Sequence, residues 1–191
     1  MPNLLLLATG IRPLLTNNPA SMSAPKTGAR KGKVEYIPEE DAESGVYRLA
    51  DGTCAIPGIA FRNSIINASG LWKSNRGKGS IKSVLSHIEV AEELIQLLDT
   101  DGKPLTEYII DKRRAVVQRQ GIIRCRPRFE NWAARFTILF DEALMPDPDI
   151  IVQIANDAGQ RVGVGDYRPA KGGWFGRFSV EQVKEKSSKK K

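Results

Sequence analysis

The chain has 191 residues, of which 41% are hydrophobic, and this length and composition suit a single folded domain. Its 29 lysines and arginines outnumber 22 aspartates and glutamates, giving a formal net charge of +7 that favours a polyanionic partner. The two cysteines lack metal-ligand spacing and there is one histidine, so we expect no metal site and no cofactor. We expect Cys54 and Cys125 to be buried and reduced, as in a cytoplasmic protein.

The two ends of the chain differ in character. Asn3–Gly10 is apolar and predicts a buried first strand, but its leucine run is short and lacks a positively charged leader. We therefore expect neither a signal peptide nor a membrane span. Residues 20–45 are rich in serine, proline, glycine and charged residues, which indicates a long exposed loop. The lysine-rich residues 184–191 predict a disordered basic tail.

Turn signals divide the middle of the chain into short elements. Asp51-Gly52 lies between the apolar segments 46–49 and 54–56 and predicts a β-hairpin. The spacing of apolar residues from Ile59 to Ala68 predicts a helix that ends near Gly70.

A strongly basic segment follows a region of ambiguous pattern. We expect a glycine- and lysine-rich loop at 73–82, whereas residues 84–98 fit a helix and a strand equally well. Leu105–Ile110 predicts a strand. The segment Lys112–Arg128 then contains seven basic residues and no acidic residue, so its charges would repel one another without a nearby polyanion.

The C-terminal third predicts a strand, a helix, a glycine-rich loop and a last strand. Phe136, Ile138 and Phe140 alternate with polar or less buried positions in the strand Arg135–Phe140. A helix capped by Asp147 or Asp149 should run to Ala158, with Gly159 as the residue after its end. The last strand is expected at Phe175–Val180.

Glycine, basic and aromatic residues are concentrated in the loop between this helix and the last strand. Its members include Gly163, Gly165, Arg168, Lys171 and Trp174. Glycine permits positive φ and close approach of another chain, cations neutralise phosphates, and exposed aromatic rings stack on bases. This composition favours a nucleic-acid-binding loop.

The order of elements predicts an α+β fold with a ferredoxin-like (RRM-like) βαββαβ core. The elaborations on this core are a long first loop, a basic β-hairpin or thumb insertion at about 73–130, and the C-terminal glycine-rich loop. We expect one domain over residues 1–183.

Three segments resemble a known family. Ile56-Pro-Gly-Ile-Ala-Phe-Arg-Asn-Ser-Ile65 is similar to the helix opening of the repeat-associated mysterious protein (RAMP) superfamily. The stretch from Ile110 to Phe136 is similar to a β-hairpin segment of that superfamily's backbone subunits, which polymerise along guide RNA in CRISPR effector complexes. Val162-Gly-Val-Gly165 and Phe175-Gly-Arg-Phe178 are similar to the C-terminal end of those subunits.

The resemblance implies a non-enzymatic protein that binds single-stranded nucleic acid, with guide RNA as the first candidate, without reading its sequence. It also implies a head-to-tail homo-oligomer along the strand and further subunits of a ribonucleoprotein complex as partners. The predicted strand-contacting residues are Lys31, Arg62, Lys73, Arg76, Arg113, Arg114, Arg119, Arg124, Arg126, Gly163, Gly165, Arg168, Lys171, Trp174 and Arg177.

Two alternatives remain open on the same fold. Some subunits of this kind cleave RNA with an aspartate of the first loop, which makes Asp41 and Asp51 candidates for a metal-dependent ribonuclease. A phage- or plasmid-borne mimic that caps or inhibits such a complex would have a similar sequence. The residues do not distinguish RNA from DNA as the bound strand.

Overall fold

The computed structural model describes residues 2–19, 37–73, 81–117, 120–145 and 147–183. Residues 20–36 of the predicted loop 20–45, residues 74–80 of the predicted loop 73–82 and the basic tail lie outside this part of the chain. The predicted site residues Lys31, Arg76 and Arg119 also lie outside it. Within it the protein is a mixed α+β fold with antiparallel sheets, as the order of elements predicts at this level.

The described strands are β1 (Asn3–Gly10), β2 (Leu14–Leu15), β3 (Tyr47–Arg48), β4 (Cys54–Pro57), β5 (Glu89–Val90), β6 (Leu94–Leu98), β7 (Ile109–Val117), β8 (Gln120–Phe129), β9 (Ala133–Leu139) and β10 (Phe178–Gln182). The described helices are α1 (Pro38–Ser44), α2 (Gly58–Ala68), α3 (Lys82–Leu85) and α4 (Asp149–Arg161). Short 3-10 turns lie at Ser69–Leu71 and Pro169–Lys171.

Two antiparallel sheets organise these elements. The large sheet has the order β10-β1-β9-β6-β4-β3, and β5 pairs with β9. The small sheet has the order β2-β8-β7. Helices α2 and α4 pack against each other, and Phe61 of α2 stacks on Phe136 of β9 with ring centroids 4.5 Å apart. Burial of this apolar layer is the main contribution to the stability of the core.

Several predicted elements are confirmed. Strand β1 has the predicted bounds, and β3 pairs with β4 around a turn in which Gly52 has a φ of +84°. In and beside β9, Phe136, Ile138 and Phe140 are buried, as their alternation predicts. Both cysteines are buried with free thiols. No helix among the described residues combines the length and apolar character needed to cross a bilayer.

Other predicted bounds are wrong. The predicted loop 20–45 contains α1, which has a proline and three acidic residues in its first turn and buries Ala42 against the core. Such residues favour a helix start, since the first turn lacks partners for its N–H groups and carries a positive dipole end. Residues 84–98, whose pattern fits a helix and a strand equally well, hold the end of α3 followed by β5 and β6. The predicted strand at 105–110 begins only at Ile109, where pairing with β8 starts.

Helix α4 extends one turn beyond its predicted end. Gly159 lies inside the helix and not after it. A Cβ at this position would overlap the carbonyl oxygen of Phe178 in β10. Its missing side chain thus permits close packing of helix on strand. The helix ends at Arg161. Gly163, two residues later, has a φ of +71° and donates its N–H to the Ala158 carbonyl at 2.9 Å, which closes the end of the helix. The last strand begins at Phe178, three residues later than predicted.

Candidate nucleic-acid interface

The hairpin β7–β8 presents one face that is rich in arginine. Its register places Asp111 opposite Arg126 and Arg113 opposite Arg124. Because side chains alternate along a strand and directly opposed residues share a face, these four residues lie on the same side as Arg128. We call the set Asp111, Arg113, Arg124, Arg126 and Arg128 the arginine face.

Asp111 is the buried acid of the arginine face, with 6% of its surface exposed. Its carboxylate accepts two hydrogen bonds from Arg113, at 2.5 and 3.0 Å, and lies 3.6 Å from Arg128. Hydrogen bonding to Asp111 raises the pKa of Arg113 above its ordinary value. Arg128 also pairs with Glu130 at 2.6 Å.

These ion pairs correct the expectation that the charges of Lys112–Arg128 repel one another unless a polyanion is nearby. The acids that neutralise the basic segment come from just outside it and from a distant loop, where Asp166 pairs with Arg126 at 2.6 Å. The hairpin therefore does not need a polyanion to relieve the repulsion among its arginines. Its excess charge still favours one.

The glycine-rich loop, residues 163–177, covers part of the arginine face. Phe175 is 2% exposed, and the guanidinium carbons of Arg113 and Arg128 lie 4.7 and 5.9 Å from its ring centroid. Cations in this position are attracted by the aromatic quadrupole. Together with the ion pair between Asp166 and Arg126, these contacts join the two segments that the sequence predicts as binding elements.

Glycines shape the loop where it meets β2. Gly165 has a φ of +75°, and a Cβ there would overlap the carbonyl oxygen of Leu15. The N–H of Asp166 donates to that oxygen at 2.8 Å, and the N–H of Gly176 donates to the Pro13 carbonyl at 2.8 Å. Gly163 also has a positive φ, of +71°, so both glycines permit backbone turns as their residue type predicts.

The backbone of the loop is largely bonded to itself. The N–H groups of Val164, Ala170, Lys171, Gly172, Gly173 and Phe175 all donate to carbonyls of residues 162–176. These amides are therefore not directed at an external anion. A nucleic-acid strand at this loop would be contacted mainly by side chains.

Two aromatic side chains and a lysine of the loop are exposed. Trp174 is 59% exposed and Tyr167 is 45% exposed, and Lys171 is exposed between them in sequence. The Trp174 ring stacks on Phe175 with centroids 5.7 Å apart and an interplanar angle of 28°. We call Tyr167, Lys171 and Trp174 the exposed platform. It combines ring faces for bases with a cation for a phosphate.

The structure brings together about half of the predicted site residues. Those that lie in the loop or on the arginine face are Arg113, Arg124, Arg126, Gly163, Gly165, Arg168, Lys171, Trp174 and Arg177. Some of these cations also hold the fold. Arg168 donates to the Gly165 carbonyl at 2.9 Å, and Arg177 donates to Gln160 at 2.9 Å. Arg114 is exposed on the opposite face of the hairpin.

Arg62 and Lys73 lie elsewhere. Arg62 donates to the carbonyls of Ile88 and Ser86 at 2.7 and 2.5 Å, which ties α2 to the segment after α3. Beside it, a groove of about 500 Å³ is lined by Glu89, Glu92 and Glu93, among others. Three carboxylates near the start of α2 disfavour a phosphate there. Lys73 is exposed beyond the 3-10 turn that follows α2.

The two aspartates considered for catalysis bond to separate elements. Asp41 accepts the Cys125 N–H of β8 at 2.8 Å. Asp51 accepts the N–H and hydroxyl of Thr53 in the β3–β4 turn, and the hydroxyl is the main cause of its lowered pKa. Within the described ranges, no group of three or more histidine, cysteine or acidic side chains could hold a metal ion.

Asp111, Phe175 and Tyr167 belong to the candidate site but are not among the residues that the sequence predicts for it. The alternation of β7 could have placed Asp111 on the face of Arg113, whereas nothing local signals that Phe175 lies beneath two arginines from another sheet. Comparison of the chain with protein-family models and with curated protein sequences gives no match.

Proposed function

We propose that the protein binds single-stranded nucleic acid, without reading its sequence, at the exposed platform and the neighbouring arginine face. The observation that carries this proposal is the exposure of Trp174 and Tyr167 on a loop packed against a cluster of arginines. Exposed rings stack on bases of any identity, and nearby cations neutralise the backbone. Guide RNA is the first candidate strand, in a ribonucleoprotein complex whose other subunits are further partners.

A relationship to the RAMP superfamily is part of the proposal. In this proposal β1, α2, β6, β9, α4 and β10 are the six elements of a ferredoxin-like core, and the sheet order β10-β1-β9-β6 supports this choice. The basic hairpin then corresponds to a thumb and the loop before β10 to the glycine-rich ending. These correspondences support a backbone subunit that polymerises along its strand.

A metal-dependent ribonuclease is the weaker reading of the same fold. Asp41 and Asp51 each accept hydrogen bonds from a backbone N–H, one on β8 and one in a turn. No observation on either residue favours cleavage chemistry, and we propose a non-enzymatic role.

The binding proposal is tested by titrating labelled oligouridylate and oligothymidylate at increasing salt and following fluorescence anisotropy. We expect the logarithm of the affinity to fall linearly with the logarithm of salt, by about 0.7 for each phosphate contact. Trp174→Ala should weaken binding by about 1–3 kcal/mol through lost stacking, and Lys171→Ala should reduce the slope.

Matched substitutions of exposed residues outside the site provide the control. Leu144→Ala and Lys103→Ala remove an exposed apolar group and an exposed cation from other turns, and should leave binding unchanged. An affinity that is independent of salt, or equal losses from control and platform variants, would contradict the proposal.

A further inference from the structure

One carboxylate contacts both guanidinium groups that lie against the Phe175 ring. Asp111 accepts two hydrogen bonds from Arg113 and lies 3.6 Å from Arg128. The same two arginines lie 4.7 and 5.9 Å from the ring centroid of Phe175. Asp111, a buried acid of β7, therefore pairs with the two hairpin arginines that contact Phe175 at the base of the loop.

The orientation of Arg113 follows from these contacts. An arginine side chain has a long flexible stem, but two parallel bonds to a carboxylate fix the plane of its guanidinium. Removal of the Asp111 charge would release that plane and also leave the arginines with excess positive charge. The ring of Phe175 would then lose cations held at a defined distance.

We infer that Asp111 is a positioning residue of the exposed platform: it holds Arg113 against Phe175, and Phe175 in turn supports the stacked ring of Trp174. The effect on strand binding rests on the proposed function. The orientation of Trp174 is a property of the free protein and can be measured without a strand.

The free protein is tested first, by acrylamide quenching of tryptophan fluorescence. Asp111→Asn keeps the shape of the side chain and removes its charge, and we expect it to increase quenching of Trp174. Glu130→Gln makes the same change of charge on the same cluster but leaves the bonds to Arg113 intact, so quenching should match the parent. Each variant is also measured with Trp174→Phe added, which leaves only the fluorescence of Trp72 and Trp132. The difference between the two proteins is the fluorescence of Trp174.

Strand binding is the second readout, measured with oligouridylate at high salt, where stacking dominates. Asp111→Asn should lower the affinity at least about fivefold, the lower end of the loss for one stacked base, while the salt slope does not decrease because no cation is lost. Glu130→Gln should keep the parent affinity. Parent-like or tighter binding by Asp111→Asn, or an equal loss in Glu130→Gln, would overturn the inference.

A charge-preserving substitution covers the case in which Asp111→Asn does not fold. Arg113→Lys keeps the positive charge but lacks the planar group, so it should increase quenching and lower affinity in the same way. Parent-like values in both assays would overturn the inference. If the parent itself binds neither oligouridylate nor oligothymidylate, the proposed function fails, and quenching alone decides the role of Asp111.

Discussion

Two glycines of the loop share a backbone conformation and differ in their surroundings. Gly165 and Gly172 have φ values of +75° and +76°. An added Cβ at Gly165 would overlap the carbonyl oxygen of Leu15, whereas at Gly172 nothing lies within 4 Å. The pair therefore separates the cost of a left-handed conformation from the cost of steric overlap.

We expect Gly172→Ala to lower the free energy of unfolding by about 1–2 kcal/mol, the usual cost of a left-handed conformation for a residue with a Cβ. Gly165→Ala should lower it by more, because β2 or the loop must also move. Urea denaturation of both variants measures the difference. Equal losses would show that the close approach to Leu15 is not needed for stability.

The raised pKa of Tyr108 predicts that the protein loses stability in alkaline solution. Burial, followed by the hydrogen bond that its hydroxyl donates to Glu43, raises the pKa of Tyr108 to about 12. Since the folded state favours the neutral phenol, this contribution is complete below about pH 10, the pKa of an unfolded tyrosine, and is lost as the pH rises toward about 12.

The measurement is the urea midpoint between about pH 9 and pH 12. Tyr108→Phe should reduce the fall of the midpoint over this range, and burial of Tyr47, which also raises its pKa, should leave part of the fall in place. An identical pH profile for parent and variant would contradict the assignment to Tyr108.

At the scale of elements, Arg62 illustrates the difference between a charge that binds and a charge that holds the fold. Its two hydrogen bonds to the carbonyls of Ile88 and Ser86 join α2 to the segment after α3. We expect Arg62→Ala to lower the free energy of unfolding by about 1–3 kcal/mol, because these carbonyls lose a charged donor. Strand affinity, corrected for the folded fraction, should stay within twofold of the parent.

Arg62→Ala is compared with Arg114→Ala, which removes a predicted strand-contacting cation that is exposed on the hairpin. Arg114→Ala should leave the melting temperature unchanged, since exposed charges contribute little to folding. A large loss of strand affinity in a folded Arg62→Ala protein would return Arg62 to the binding site.

Local patterns predicted the elements whose signals are local. The alternation in β9, the Asp51-Gly52 turn and the apolar spacing of α2 each depend on neighbours within a few residues, and each is confirmed. The place of Gly159 inside α4 depends on its contact with Phe178 in another element, so the local pattern predicts the wrong position for it. Leu105 looked like part of a strand, but regular pairing with β8 begins only at Ile109.

The candidate site shows the same limit. Composition predicted the loop and the basic hairpin separately, and the period of two could order the arginines on faces. Their meeting at Phe175, and the pairing of Asp166 with Arg126, depend on packing between segments about 40 residues apart or more. No local pattern reports such a contact.

At the scale of the molecule, charge differs between the two edges of the large sheet. The groove with Glu89, Glu92 and Glu93 lies beside β3, β4 and β6 at one edge, and the glycine-rich loop leads into β10 at the other. A head-to-tail assembly needs two different surfaces on each copy, and contacts that do not close produce helical arrays.

We therefore expect a monomer in the absence of nucleic acid and long oligomers on a long single strand, because the strand adds contacts that the copies lack alone. Sedimentation velocity with polyuridylate of increasing length measures this, and the oligomer should grow with the strand. A dimer of fixed size with and without polyuridylate would contradict a filament.

The self-bonded backbone of the glycine-rich loop has a consequence for the entropy cost of binding. A chain segment that becomes ordered only on binding loses conformational entropy at that moment, which weakens its complex. Here the backbone hydrogen bonds of residues 164–176 are already made within the protein. The conformational entropy of the loop backbone is therefore lost during folding and not during binding. A ligand that reaches this loop meets a preorganised backbone, and only the exposed side chains lose conformational freedom when it binds.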